Sequence, residues 1–202
     1  MSLTDVLDHP LVYRTWQAPF ARKKLDPVIK SGVLDRVSSV LDVGCGPGTN
    51  APLLTRKNEY VGVDLNPKYI EYARSRYRGE FIVADVTEGL PGGRTFDLVL
   101  MNSLMHHLDD EGAGNLLASL GRVVAPEGEI HVLDLVRADS GVPRFMANAD
   151  RGKYARTPDE WTALVSPWLS VRSSGTYPLG LGPVEIWRMI HMVLAVERGA
   201  ET

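Results

Sequence analysis

The chain has 202 residues, enough for one domain with a substantial core and a small cap. Its 44% hydrophobic and 23% charged residues are those of an ordinary globular protein, and a net charge of −3 gives no field that would recruit nucleic acid. The single cysteine, Cys45, excludes a disulfide within the chain and suits a reducing, cytoplasmic setting. Residues 1–5 lack the basic start and apolar run of a signal peptide, and no apolar stretch approaches the ~18 residues of a membrane span.

Taken in order, residues 10–30 carry apolar and aromatic side chains at helical spacing, among them Leu11, Val12, Trp16 and Phe20, and Pro19 and Pro27 divide them into two or three pieces. Alternation follows. Strands are expected over 40–43, 60–64, 81–84, 96–101 and 129–135, with helices after Gly48, over 67–77 and over 110–123. Strands alternating with helices predict a parallel sheet covered on both faces, with ligands beyond the carboxyl ends of the strands. Residues 136–156 read as a long functional loop. Thr157-Pro158-Asp159-Glu160 offers an N-cap, a first-turn proline and a capping-box glutamate. Segments 169–177 and 186–196 alternate around a Pro/Gly-rich connection, as an antiparallel pair does. The basic clusters Arg22-Lys23-Lys24 and Arg74-Ser75-Arg76-Tyr77-Arg78 read as solvated helix faces.

The chemistry collects at strand ends. After the first strand, Leu41-Asp42-Val43-Gly44-Cys45-Gly46-Pro47-Gly48 places glycine at every second position, so the backbone can turn sharply and approach a ligand closely. Thr49 occupies the place where the dinucleotide fingerprint requires a third glycine, which argues against a nicotinamide enzyme. The second strand ends in Asp64-Leu65-Asn66; Asp64 can accept both hydroxyls of a ribose, and Asn66 caps the following helix. The third ends in Asp85-Val86, a carboxylate for an adenine amino group followed by a backbone donor for the ring.

From about residue 37 to residue 135 the chain resembles class I S-adenosylmethionine-dependent methyltransferases, in the group that includes ubiquinone/menaquinone-biosynthesis-type and natural-product enzymes. The pieces are the glycine loop, Val63-Asp64, Ala84-Asp85-Val86, Phe96-Asp97-Leu98-Val99, Leu104-Met105-His106-His107-Leu108, and Val123-Val124-Ala125-Pro126-Glu127-Gly128. The resemblance implies an α/β fold, a doubly wound, mostly parallel seven-stranded sheet with an antiparallel C-terminal strand. It implies a single domain: a helical cap over 1–36, a cofactor-binding core over 37–135, and a substrate loop with the strand pair over 136–202. S-adenosylmethionine would meet Asp42, Gly44, Cys45, Gly46 and Gly48, then Asp64, Leu65 and Asn66, then Asp85 and Val86, with Asn102 after the fourth strand and Tyr13 or Trp16 as covers. Cys45 is expected to be a small filler of the loop, and Gly128 to supply a positive φ in a turn.

The Asn/Asp-Pro-Pro-aromatic motif of base-amino methyltransferases is missing after the fourth strand, which lowers a nucleic-acid substrate. The His-His pair is similar to the pattern of small-molecule O-methyltransferases, in which the first histidine serves as base. His106 is therefore the expected base facing the cavity, His107 is expected to be packed or hydrogen-bonded, and Asp134 is a second base candidate; a purely structural role for both His106 and Asp134 stands beside that reading. Adjacent histidines chelate one ion poorly, so no metal is expected. Arg144, Arg151, Lys153 and Tyr154 in the long loop would suit a polar or anionic small-molecule acceptor. A non-catalytic adenosyl-ligand binder and a methyltransferase acting on a macromolecule are the alternatives.

Overall fold

The computed structural model describes residues 20–55, 59–90, 92–137, 143, 152–181 and 184–197. Tyr13, Trp16, Pro19, Arg144 and Arg151 lie outside the described residues. Strands β1 (Ser39–Val43), β2 (Glu59–Asp64), β3 (Glu80–Val83), β4 (Phe96–Asn102), β5 (Val124–Leu135), β6 (Ser170–Leu181) and β7 (Val184–Ala195) form one sheet in the order β3-β2-β1-β4-β5-β7-β6. β1 to β5 pair in parallel, and β7 runs antiparallel to both β5 and β6. The chain thus winds outward from β1 in one direction and from β4 in the other. Ligand chemistry belongs at the carboxyl ends of those two strands, where the winding reverses.

The strands are apolar on both faces because both are covered, and side-chain alternation sorts them into two layers. Leu41, Val43, Val99, Met101, Ile130 and Val132 pack with Ala113, Leu116 and Leu117 of α4 (Asp110–Leu120) and with Trp161 and Val165 of α5 (Pro158–Val165). The opposite face, Val40, Leu98, Leu100 and Leu133, packs with Val28 of α1 (Asp26–Lys30), Leu54 of α2 (Ala51–Leu54) and Ile70 and Ala73 of α3 (Pro67–Arg76). Phe20 meets Trp187 edge to face at 5.1 Å, joining the N-terminal helical segment to β7.

Local signals act as the sequence leads one to expect. Asn66 caps α3 by accepting from the Lys68 N–H at 3.0 Å. Thr157 and Glu160 make the reciprocal capping box of α5. Residues 20–24 are helical, a turn at Leu25 interrupts them, and α1 follows with Pro27 in its first turn. Two details differ. The Pro126-Glu127-Gly128 segment lies within β5 across a register shift, and Gly128 has no positive φ; it is needed for space, since a Cβ there would lie 2.8 Å from the Phe96 carbonyl oxygen. The 136–156 segment is tied at its ends by a bridge between Val136 and Arg156.

Candidate active site

The glycine loop leaves β1 with φ of 73° at Gly44, 55° at Gly46 and 77° at Gly48, a left-handed conformation that side chains other than glycine adopt at a cost. Neighbours close the same positions: a Cβ on Gly44 would lie 2.8 Å from Leu104 and one on Gly48 2.8 Å from Tyr77. The loop is fastened to β2. The Gly44 and Cys45 N–H groups donate to the Val63 carbonyl at 2.8 and 3.0 Å, and the Gly46 N–H donates to Asp64 Oδ2 at 2.8 Å. Asp64 Oδ1 accepts from the Asn66 N–H at 2.9 Å. Burial raises the Asp64 pKa, against the lowering effect of these two donors. Its carboxylate keeps further lone pairs for a ligand.

Beyond Asp64, Leu65 is 64% exposed, an apolar side chain left open past the carboxyl end of β2. At the end of β3, Asp85 Oδ1 accepts from the Thr87 hydroxyl and N–H at 2.7 and 2.9 Å, which lowers its pKa; Oδ2 makes no hydrogen bond among the described residues. Val86 packs its side chain into the core, and its N–H makes no hydrogen bond among the described residues.

Asp42 lies beneath the loop, fully buried, where Oδ2 accepts from the Tyr60 hydroxyl at 2.9 Å. Burial pushes its pKa up to about 7, tempered by Tyr60 and by the nearby Asn50 side chain, which lies outside hydrogen-bond geometry. Cys45 is buried, its thiol held protonated by burial, with Sγ 3.5 Å from the Gly46 carbonyl. An open cavity is lined by Ala21, Lys24, Gly44, Cys45, Thr49, Asn50, Asn102 and Ser103. Thr49 Oγ1 of this lining, and Asp42 Oδ1 beneath the loop, are buried without a hydrogen-bond partner among the described residues. Polar atoms are rarely left so unless a ligand or water serves them.

The histidine pair corrects one expectation. His106 is 3% exposed and does not line that cavity, and His107 is exposed with its ring 4.1 Å from that of His106. His106 Nδ1 donates to Asp134 Oδ1 at 2.6 Å, and Gly152 closes over the ring so tightly that a Cβ there would fall 1.8 Å from Cδ2. Strand parity explains the placement. Asp134 shares the sheet face of Ile130 and Val132, the α4/α5 side, while Asn102 shares the face of Leu98 and Leu100. Asp134 is fully buried and also accepts from the Met105 and Leu135 N–H groups at 2.8 and 2.7 Å. Burial raises its pKa, but His106 and the backbone donors outweigh that and hold it below the usual carboxylate value. A carboxylate so occupied is a poor base.

Sequence reasoning missed Lys24, Ser103 and Arg156. Of the basic cluster, Arg22 and Lys23 are exposed as expected, but Lys24 lies three residues from Ala21 on the inward face and donates to Ser103 Oγ at 2.9 Å. Helical spacing held that signal. Arg156 is 6% exposed and donates to the Met105, Leu108 and Tyr154 carbonyls and to Asp110 Oδ1, with its guanidinium 5.0 Å over the Trp161 ring. No spacing in the sequence announces it.

A doubly wound sheet with a left-handed glycine loop after β1 and acids after β2 and β3 defines a Rossmann-like enzyme that takes a nucleoside-bearing ligand. The chain belongs to the methyltransferase-domain family, whose profile, described as "Methyltransferase domain", matches residues 40–128. An uncharacterized methyltransferase of Mycobacterium tuberculosis is 34% identical over 137 residues, covering 60% of this chain and 68% of that protein. A malonyl-[acyl-carrier protein] O-methyltransferase of Pseudescherichia vulneris is 35% identical over 97 residues, 47% of this chain and 38% of that one. Among solved structures, a TehB-like SAM-dependent methyltransferase from Corynebacterium glutamicum has a TM-score of 0.66 at 17% identity, covering 94% of this chain and 98% of that chain. That likeness is one of fold. No described helix is long and apolar enough to cross a membrane.

Proposed function

We propose that the protein transfers the methyl group of S-adenosylmethionine to an oxygen of a small-molecule acceptor. The observation that carries this is the Gly46 N–H bound to the Asp64 carboxylate, because it joins the left-handed glycine loop to the acid expected at the ribose. The unpartnered Thr49 hydroxyl and Asp42 oxygen by the loop, the exposed Leu65, and the open Asp85 Oδ2 and Val86 N–H extend a polar and apolar track from the methionine end to the adenine end. The cofactor, when bound, supplies an electrophilic methyl on a sulfonium. The chain's own part is alignment: Gly44, Cys45, Gly46 and Gly48 give close backbone approach, Asp64 and Asn66 orient the ribose, and Leu65, Asp85 and Val86 hold the adenine. Asn102 borders the donor end of the cavity. Orientation of this kind is worth ~7–11 kcal/mol at best.

Asp134 fixes the His106 ring through Nδ1, and Gly152 covers that ring. The pair shapes the turn after β4. A carboxylate acceptor is ionised at neutral pH and needs no base. Incubation with methyl-labelled S-adenosylmethionine and panels of carboxylic acids, phenols, amines and thiols tests the proposal. Label in base-labile methyl esters is the expected result; label in amines or thiols, or only in macromolecules, would refute it. Cofactor binding with no transfer to any acceptor would favour a non-catalytic binder.

A further inference from the structure

Lys24 lies in a segment read from sequence as solvent-facing, yet it is held into the cavity from both ends. The Tyr177 hydroxyl of β6 donates to the Lys24 carbonyl at 2.7 Å, and the next residue, Leu25, is 2% exposed, so the backbone is anchored. At the other end the ammonium donates to Ser103 Oγ at 2.9 Å. Ser103 has φ of 56°, the one residue other than glycine in the left-handed region among the described residues. That conformation has a cost, and it recurs where surrounding structure holds a functional group in place. The Ser103 N–H donates to the Leu133 carbonyl at 2.8 Å, which ties the strained residue to β5.

The cavity brings this ammonium and hydroxyl opposite the glycine loop. Its walls are otherwise neutral: Gly44, Cys45, Thr49, Asn50, Asn102 and Ala21. Lys24 is the only cation among the described lining residues. The methionine end of the donor carries an α-carboxylate, which on entering a partly enclosed site needs a charged or multiply donating partner. We infer that Lys24, supported by Ser103, binds the α-carboxylate of the methyl donor and so selects a ligand with an intact amino-acid tail over a bare thioadenosine. This rests on the function proposed above and adds to it the residue that reads the tail.

Calorimetry with two probes isolates the contact. S-adenosylhomocysteine carries the carboxylate; 5′-methylthioadenosine has the same nucleoside and sulfur without it. Lys24→Met, which keeps most of the apolar stem, should weaken S-adenosylhomocysteine by about 10- to 100-fold, the range of a lost charge-assisted bond, and leave methylthioadenosine unchanged. Lys24→Arg should restore most of the difference. Equal weakening of both probes would overturn the inference by making Lys24 a support of the site as a whole, and unchanged binding of both would overturn it by removing the contact. A wild-type protein that binds neither probe would instead refute the proposed function.

Discussion

Replacing Asp134 separates an internal brace from a solvent-facing base. The side chain is fully buried and takes three donors: His106 Nδ1 and the Leu135 N–H on Oδ1, and the Met105 N–H on Oδ2. Alanine leaves all three without an acceptor. At about 1–3 kcal/mol for each buried orphan, with partial relaxation and some water entry, the expected loss is about 3–5 kcal/mol, as for a broken buried pair. Asparagine with its oxygen at the Oδ1 position keeps two acceptances and turns its NH2 against the Met105 N–H, so it should lose only about 1–3 kcal/mol. Urea unfolding at neutral pH measures both. Losses within about 0.5 kcal/mol of zero, or an asparagine variant less stable than the alanine one, would refute the geometry. The pH dependence has a definite sign. A carboxylate held below its unfolded value of 3.8 adds stability that is present above that pH and disappears as pH falls through the folded value. The difference between wild type and Asp134→Asn should therefore shrink only in the acid range below about pH 4.

Asp42 has the opposite sign. Its folded pKa of about 7 lies above the ordinary 3.8, so the folded state holds a proton that the unfolded chain gives up, and stability falls as pH rises between those values. The full shift corresponds to about 4 kcal/mol, and Asp42→Asn should flatten the stability profile from pH 4 to pH 8 by that order, as read by thermal melts in the absence of ligand; an unchanged slope would contradict it. Gly48→Ala forces φ of 77° on a residue with a Cβ 2.8 Å from Tyr77 and 3.1 Å from Ala73. It should cost about 2–5 kcal/mol in unfolding free energy, and no loss would mean that the loop readily changes conformation. Asp64→Ala should weaken S-adenosylhomocysteine by about 2–4 kcal/mol in calorimetry, and an unchanged affinity in a folded variant would leave Asp64 as an organiser of the loop alone.

Much of this protein was legible one residue at a time. The alternation of apolar runs with helical segments specified the layered sheet, the capping residues Asn66 and Thr157 marked where helices begin, and the spacing of Gly44, Gly46 and Gly48 with Asp64 and Asp85 marked the ligand end of the strands. These signals are local: a period, a cap or a conformation only glycine takes easily is written within a few neighbours. What a side chain faces is not local. Whether His106 or His107 turns inward depends on the parity of Asp134 on a strand 28 residues away and on Gly152 packing over the ring. Lys24 became a cavity residue because its own carbonyl is held by Tyr177, 153 positions further along the chain, and because Ser103, in the bend just past β4, accepts from its ammonium. Such partners meet only when the sheet is closed and its two faces are filled, so the tertiary structure alone decided which charged groups belong to the site.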